Sequence, residues 1–171
     1  MKLRNAKLVD VKKIQDLENE YYGGFSVSLD ILENWIEGLS ENFFIAEEND
    51  GILGCIFFEY LNSVKSVPYV HKLVHDKNGK YGYVSEILIK DELKNTDLGQ
   101  KLFDKMLEKC KNDGMKGVIW LTGPPEEIGH DMIENQLITK NDFKRIRRVK
   151  KWEATPNFFI DDHWIWIKEL K

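Results

Sequence analysis

The chain has 171 residues, of which 42% are hydrophobic and 32% are charged, and its formal net charge is −4. This composition is typical of one soluble globular domain over residues 1–171, and the acidic balance argues against a general nucleic-acid binder. No apolar run is long enough to span a membrane, and the first residues do not resemble a signal peptide, so we expect a cytoplasmic protein. The two cysteines, Cys55 and Cys110, lie in apolar runs, which predicts buried free thiols.

The first third of the chain predicts a strand, two helices and a hairpin. A short strand is expected over residues 2–5, and strands over 43–47 and 52–61 flank the hairpin turn Asn49-Asp50-Gly51. Asp10 suits the N-cap of a first helix and Ser28 that of a second. The apolar residues at helical spacing are Val11, Ile14, Leu17 and Tyr21 in the first helix and Ile31, Leu32, Trp35, Ile36 and Leu39 in the second.

The segment 62–82 has no regular pattern. His71 and His75 are four residues apart, a spacing that would place two metal ligands on one helical face. Pro68 makes an extended segment an equally good interpretation, and no nearby cysteine completes a ligand set. We therefore interpret both histidines as surface residues and predict no metal site.

The most informative stretch runs from Tyr83 to Gly114. Residues 84–89 form an apolar strand that contains a single acid, Glu86. The helix that follows has a continuous apolar face: Leu98, Leu102, Phe103, Met106, Leu107 and Cys110. A polar turn over residues 94–97 joins strand and helix, so the unpaired N–H groups of the helix point into the turn. This arrangement is typical of an anion site, most often for phosphate.

The last third predicts a strand, a helix and two closing strands. Gly114 suits a helix C-cap, and the apolar run over 117–122 is typical of a central strand. Asp131 and Glu134 have the spacing of a capping box at the start of a helix through Ile138. Strands are expected over 144–154 and 163–170.

The run from Ile87 to Leu102 resembles the cofactor-binding segment of the general N-acetyltransferase (GNAT) superfamily. In that family an apolar strand leads to Arg/Gln-x-x-Gly-x-Gly/Ala at the start of a helix. Lys94 stands at the Arg/Gln position, Asp97 at the first glycine and Gly99 at the second, so two of three positions depart from the pattern. The order of elements also resembles the family fold, with Asp142-Phe143 in place of a Gly-Phe turn. The resemblance implies an α/β fold whose mixed sheet has about six to seven strands and about four flanking helices.

The resemblance also implies a function, acetyl transfer from acetyl-CoA to a primary amine, with no metal. The amine would be a small cationic amine, a protein N-terminus or a lysine. The pantetheine arm would lie along the backbone of Ile87, Leu88 and Ile89. The diphosphate would lie against these residues: Lys94, Asn95, Thr96, Asp97, Leu98, Gly99 and Gln100. Asp131 stands where the family has an Asn that often touches the pantetheine arm, although a helix cap is a sufficient explanation.

The chemistry requires a base, because an ammonium ion with a pKa near ~10.4 cannot attack a thioester until it loses a proton. Burial in the strand would raise the pKa of Glu86 toward neutrality, which suits a base; a basic partner or exposure to solvent would explain this acid equally well. The tyrosine that the family uses as general acid is replaced by Ile138. Tyr83, Tyr81 or a water would substitute for it, or the thiolate would leave unaided.

Asp97 is the least favourable departure. A carboxylate ~5 Å from a phosphate charge costs about 1 kcal/mol in water-like surroundings and about 3 kcal/mol at an effective dielectric of ~20. Lys94 would offset this, or Asp97 would turn away to cap the helix. The departures keep a second function class open, namely a non-catalytic module of the same fold that binds CoA or a protein partner.

Charge is unevenly distributed along the chain. Residues 1–50 contain 11 acidic and 5 basic residues, which suits a cationic acceptor but is also explained by a solvated helix face. The basic run 144–151 fits an exposed strand whose charges discourage edge pairing better than it fits a nucleic-acid site. Neither a membrane nor a nucleic acid is expected as a partner, and a homodimer is compatible with the sequence.

Overall fold

The computed structural model describes residues 1–22, 26–63, 75–123, 133–155 and 158–171, without the side chains of 152–155 and 158–162. The helices in these residues are α1 (Val11–Tyr22), α2 (Leu29–Leu39), α3 (Leu98–Asn112) and α4 (Ile133–Lys140). The strands are β1 (Lys2–Asn5), β2 (Phe43–Glu48), β3 (Gly51–Leu61), β4 (Tyr81–Ile89), β5 (Gly117–Thr122), β6 (Lys144–Thr155) and β7 (Phe158–Glu169). No helix in the described residues is long and apolar enough to cross a bilayer.

The seven strands form one mixed sheet in the order β1-β2-β3-β4-β5-β7-β6. β4 and β5 are parallel, as expected for two strands joined by a helical crossover. The pairs β1–β2, β2–β3, β5–β7 and β6–β7 are antiparallel. The predicted fold class, a mixed sheet of six to seven strands with about four helices, is confirmed.

By its contacts the chain divides into two compact units, a first unit of residues 1–58 and 86–106 and a second unit of residues 59–85 and 107–171. In the first unit, the ring of Trp35 on α2 stacks on Phe57 with 4.7 Å between centroids, and Phe43 lies 5.2 Å from the same ring. The second unit has a cluster of buried side chains: Leu61, Tyr83, Ile119, Leu121 and Ile165. Each unit therefore has apolar packing of its own.

Two strands are longer than predicted. β4 begins at Tyr81 rather than at residue 84, because its first residues pair with β5 from Gly117 onward. β7 begins at Phe158 rather than at residue 163. Its ladder with β6 continues through Asp161, so backbone pairing extends past acidic residues that interrupt the apolar pattern.

The predicted turns adopt left-handed backbone conformations. Asn49 and Asp50 have φ values of 49° and 63°, as the two-residue hairpin requires, and Gly114 at the end of α3 has a φ of 72°. Asp142, which replaces the glycine of the Gly-Phe turn, has a φ of 56°, a conformation that aspartate tolerates better than most residues. The Phe143 N–H donates to the carbonyl of Ile138 at 3.3 Å. The turn therefore keeps the geometry of a glycine turn without a glycine.

The cap predictions have mixed outcomes. Ser28 is the N-cap residue of α2 through its backbone carbonyl, which accepts the N–H groups of Ile31 and Leu32, and not through its hydroxyl. Asp10 was expected to cap α1, but its carboxylate binds Arg4 at 2.7 and 2.9 Å and the Lys7 N–H at 2.8 Å. That guanidinium and the Lys7 hydrogen bond oppose the effect of burial and lower the pKa of Asp10. The predicted capping box at Asp131 lies outside the described residues.

The histidine segment is described only in part. His71 lies outside the described residues, whereas the Nδ1 atom of His75 accepts the Tyr60 N–H at 3.1 Å. The Nδ1 atom of His75 is thus bound to the backbone of β3 rather than available to a metal ion. No group of three or more metal-ligating side chains occurs among the described residues.

Gly82 on β4 allows a close approach to α3 within the second unit. A Cβ atom added to Gly82 would lie 2.6 Å from the Sγ atom of Cys110, whereas its contact with Val118, at 3.7 Å, would be ordinary. The thiol of Cys110 is fully buried and therefore cannot swing into solvent.

We expect Gly82→Ala to lower the free energy of unfolding by about 1–3 kcal/mol through overpacking. Cys110→Ala alone should cost about 1–2 kcal/mol by leaving a small cavity. The double variant should be more stable than the sum of the two single effects, because the added methyl group fills the space left by the sulfur. Urea denaturation of the four proteins measures this coupling, and strictly additive effects would contradict it.

Candidate active site

Two glutamates from distant parts of the sequence meet inside the first unit. Glu86 on β4 is 7% exposed and Glu18 on α1 is 0% exposed, and their carboxyl groups are hydrogen-bonded to each other. Glu18 Oε2 also accepts the Val27 N–H at 3.0 Å. Glu18 Oε1 and Glu86 Oε2 are buried, and neither receives a hydrogen bond from a donor in the described part of the chain.

Both carboxyl groups hold protons more tightly than usual. Burial, the negative charge of Glu18 and the hydrogen bond with Glu18 raise the pKa of Glu86 well above its ordinary range. Burial also raises the pKa of Glu18, to about 7, because hydrogen bonds from Val27 and Glu86 offset only part of the desolvation. Two carboxyl groups this close share protons and titrate as a unit. Near neutrality the pair therefore holds at least one proton.

The thiol of Cys55 on β3 lies beside the pair. Burial and the charges of Glu86 and Glu18 raise the pKa of Cys55, so the thiol stays neutral. A backbone hydrogen bond links this thiol to Leu88. The Cys55 thiol therefore adds no charge beside the pair.

Sequence reasoning found Glu86 and missed Glu18. The buried residues of α1 are Val11, Ile14, Leu17 and Glu18, so the acid occupies the apolar face of the helix. Glu18 follows Ile14 by four residues and Val11 by seven, which is the spacing of that face. The signal that could have found it was therefore an acid at an inward position of an amphipathic helix.

The turn between β4 and α3 has its side-chain charges paired. A single 3₁₀ turn over Asp91–Leu93 follows β4, and Lys94 Nζ lies 2.6 Å from Asp91 Oδ1 and 4.7 Å from the centroid of the Tyr21 ring. Asp97 forms an ion pair with Lys101 at 2.8 Å. The Asp97 carboxylate thus has a cation beside it. This cation reduces the repulsion that the carboxylate would exert on a phosphate.

The start of α3 offers backbone donors. The first helical hydrogen bond runs from the Lys101 N–H to the Asp97 carbonyl at 2.9 Å, so the N–H groups of Leu98, Gly99 and Gln100 precede the helical ladder. Thr96 Oγ1 accepts the Leu98 N–H at 3.3 Å, as a capping hydroxyl does. The Gly99 and Gln100 N–H groups therefore precede the helical ladder as the sequence predicted, and the anion site itself stays a prediction.

The predicted site residues fall in different places. The first unit contains Glu86, the strand residues Ile87–Ile89 and the turn residues 94–100. The side chains of Ile87, Leu88 and Ile89 are buried, so they would serve a cofactor through their backbone only.

Tyr83, the candidate acid, lies in the second unit. It is 5% exposed within the apolar cluster of that unit. Burial and the charge of Glu59 raise its pKa, which keeps the phenol protonated. Asp131 lies outside the described residues, and Ile138, at the position of the family tyrosine, is buried on α4. The roles predicted for these residues stay predictions.

A family model described as "Acetyltransferase (GNAT) family" matches residues 11–135. The chain belongs to this family. The match includes α1, β4 and the first turn of α3, which carry the carboxyl pair and the predicted anion site. No curated protein matches the sequence of this GNAT chain.

Solved structures confirm the GNAT fold. The loading GNATL domain of CurA from Lyngbya majuscula has a TM-score of 0.79 at 19% identity, over 98% of this chain and 96% of that one. The GphF GNAT-like decarboxylase in complex with isobutyryl-CoA has a TM-score of 0.77 at 12% identity, over 100% of each chain. The yncA protein of Salmonella typhimurium, solved with its cofactor acetyl-CoA, has a TM-score of 0.72 at 14% identity, over 99% of this chain and 94% of that one.

The carboxyl pair predicts how stability depends on pH. A carboxyl whose folded-state pKa lies above its unfolded value stabilises the fold fully below the unfolded value of ~4.3, and this contribution is lost as pH rises through the folded value, about 7 for Glu18. We therefore expect the stability of the wild type, relative to Glu18→Gln, to fall by an amount on the order of 1–3 kcal/mol between pH 5 and pH 8, set by about 1.4 kcal/mol per pKa unit.

Urea denaturation at several pH values measures this difference. Glu20→Gln removes the same charge from an exposed position of α1 and is the matched control. Its stability relative to the wild type should not change over the same range. Parallel curves for the wild type and Glu18→Gln would show that the Glu18 carboxyl titrates normally.

Proposed function

We propose that this protein is an N-acetyltransferase that moves an acetyl group from acetyl-CoA to a primary amine by direct transfer in a ternary complex. The acceptor would be a small cationic amine or an amino group of a protein, either an N-terminus or a lysine. The observation that carries the proposal is the buried carboxyl pair, held in the same unit as the strand–turn–helix anion site. Residues 1–171 would work as one acetyltransferase domain in the cytoplasm.

The cofactor would bind mainly through backbone groups. The diphosphate of acetyl-CoA would accept the N–H groups of Gly99 and Gln100, where the α3 dipole also favours an anion, and that of Leu98 once it leaves the Thr96 hydroxyl. Lys94 and Lys101 lie beside this turn, each with an acidic partner. The pantetheine arm would follow the backbone at Ile87–Ile89, so that the thioester lies near Glu86.

The reaction needs a proton acceptor and a carbonyl held in place. Glu86 would take a proton from the acceptor ammonium, because only the neutral amine has an electron pair with which to attack the thioester carbonyl. A backbone N–H of β4 would hold the developing oxyanion. The carbon–nitrogen bond forms, the carbon–sulfur bond breaks and the CoA thiolate leaves. The remaining ammonium proton of the product goes to this thiolate.

The alternative function is a non-catalytic module of the same fold that binds CoA or a protein partner. One observation favours it: the family tyrosine is replaced by Ile138, whose buried aliphatic side chain has no proton to donate. A thiol with a pKa of about 8.5 leaves tolerably without an acid, so the replacement is compatible with catalysis. Release of free CoA separates the two functions, because a binding module releases none.

The first functional prediction concerns acetyl-CoA. Acetyl-CoA at millimolar concentration should raise the melting temperature of the wild type, since a ligand that binds only the folded state stabilises it. Gly99→Glu should abolish this rise by placing a carboxylate and its bulk among the diphosphate donors. Asn112→Glu adds the same charge at the other, exposed end of α3 and should keep the rise. A wild type that does not respond to acetyl-CoA would exclude both the enzyme and the CoA-binding module.

The second functional prediction concerns the base. Glu86→Gln keeps the size of the side chain but cannot accept a proton, so kcat/KM should fall by about 10²–10⁴ while acetyl-CoA binding stays nearly intact. The pH–rate profile of the wild type should rise through the titration of the pair to a plateau. Glu20→Gln should keep the wild-type rate. Thiol release measured with a set of primary amines checks this, and an unchanged rate in Glu86→Gln would leave Glu86 a structural acid.

A further inference from the structure

The edge strand β6 presents a dense row of positive charge. From residue 144 to residue 151, six of eight residues are basic and none is acidic, in a chain whose formal net charge is −4. β6 is the last strand in the sheet order, so its outer edge pairs with no strand in the part of the chain that the structure describes. All six basic side chains of this run are exposed: Lys144, Arg145, Arg147, Arg148, Lys150 and Lys151.

The register with β7 distributes these charges over both faces of the sheet. Residues directly opposite each other in an antiparallel pair share a face, and successive residues of a strand alternate between faces. Arg147 lies opposite Ile165, whereas Arg148 lies opposite Trp164. Arg147 and Arg148 therefore project from opposite faces, and the lysines that follow continue the alternation. A ligand must reach both faces to match all of these charges.

The part of β6 that is regular enough to accept a further strand begins at Arg147. A β-bulge at Ile146 interrupts the ladder with β7, and a second irregularity follows Glu153. Between Arg147 and Glu153 the register is continuous. At about 3.3 Å per residue this stretch spans about 23 Å, which is enough for a partner strand of about seven residues.

Arg145 adds a positive charge that is held in place next to this stretch. Its guanidinium carbon lies 5.1 Å from the centroid of the Trp164 ring and 5.0 Å from that of the Trp166 ring. Contact with two rings restricts the long side chain, so less conformational entropy is lost when it binds a ligand. The planar guanidinium keeps N–H groups whose geometry matches a carboxylate or a phosphate. Arg145 is therefore a suitable anchor for an anionic ligand.

We propose that β6 is a docking edge for an acidic segment of another protein, which adds to the sheet as an extended strand beside Arg147–Glu153. Backbone hydrogen bonds would supply part of the affinity, and carboxylates on both faces of the added strand would supply the specificity. The inference goes beyond acetyl transfer and does not depend on it.

The same charges disfavour other occupants of the docking edge. A second copy of β6 would bring like charges together across the new ladder, so self-association through this edge is disfavoured. A nucleic-acid backbone or an anionic membrane surface contacts a sheet from one side, so it leaves the charges of the other face unmatched. An acidic strand lies in the plane of the sheet and reaches both faces. The basic run that protects the edge against other strands therefore selects an acidic one.

Fluorescence anisotropy of a labelled peptide, titrated with the full chain, tests the docking edge. The probe is a nonapeptide of three Glu-Glu-Val repeats, which as a strand has glutamates on both faces. We expect binding at about 50 mM salt that weakens about tenfold or more at about 300 mM, because the contact is electrostatic. A neutral peptide of three Gln-Gln-Val repeats should bind about tenfold more weakly or less. The acidic peptide methylated at its valine nitrogens should also bind more weakly, because it cannot complete the ladder.

Variants assign the binding to β6. Arg147→Gln combined with Arg148→Gln removes one charge from each face and should weaken peptide binding about tenfold or more, with a shallower salt dependence. Lys12→Gln combined with Lys13→Gln removes the same charge from exposed positions of α1 and should bind as the wild type does. Arg145→Lys keeps the charge but loses the stacked fork, so it should weaken binding with the salt dependence unchanged. The melting temperature of each variant, measured in the same buffer, shows that it is folded.

Several results would overturn the docking edge. A wild type that does not bind the acidic peptide, or that binds the neutral peptide equally well, would remove the charge selection. Equal binding of the N-methylated peptide would remove the strand pairing, and wild-type binding by the Arg147 and Arg148 double variant would place the peptide elsewhere. Tighter binding of a thymidine decanucleotide or of phosphatidylserine vesicles at the same ionic strength would assign the basic run to a nucleic acid or a membrane. The titration contains no acetyl-CoA, so each result is independent of acetyltransferase activity.

Discussion

Burial of two carboxyl groups against each other is the constraint on which the candidate site depends. Such a pair destabilises the fold once it loses its protons, because desolvation of each carboxylate costs several kcal/mol and the two negative charges repel. The apolar packing around Trp35 and Phe57 must offset this cost within the first unit. In return, the position of α1 relative to β4 is fixed by a polar contact that requires a proton. Protonation of the carboxyl pair and stability of the first unit are therefore linked in one place.

The turn between β4 and α3 differs from the carboxyl pair in its electrostatics. Its cations and anions are matched in pairs, Lys94 with Asp91 and Lys101 with Asp97, so side chains leave little net charge at the start of α3. The backbone N–H groups and the helix dipole are therefore the main source of positive potential at the start of α3. An aspartate is tolerated at the position of a family glycine because Lys101, one turn further along the helix, forms an ion pair with it. The turn therefore keeps the backbone donors of the motif although its sequence departs from it.

The sequence was most informative where local pattern decides structure. Apolar spacing predicted the four helices that the described residues contain, and Asn49-Asp50-Gly51 predicted the hairpin with its left-handed residues. The sequence missed the starts of β4 and β7 because Gly82 and the acids of β7 interrupt the apolar pattern. Backbone pairing continues through these residues because it depends on the neighbouring strand. Glu86 was found because it is a lone acid in an apolar strand. Glu18 stands at an inward position of α1, but its pairing with Glu86 was missed because no local pattern links a helix near the N-terminus to a strand in the middle of the chain.

The two cysteines allow the local opening of each unit to be measured by thiol labelling. Both thiols are free and buried, with Cys55 in the first unit and Cys110 in the second. A buried thiol reacts with a labelling reagent only when the structure around it opens, so each labelling rate measures the opening free energy of one unit. Equal rates would mean that the units open together, and a slower Cys55 would mean that the unit with the carboxyl pair outlasts the other. Single-cysteine forms would report each unit separately without any added cysteine.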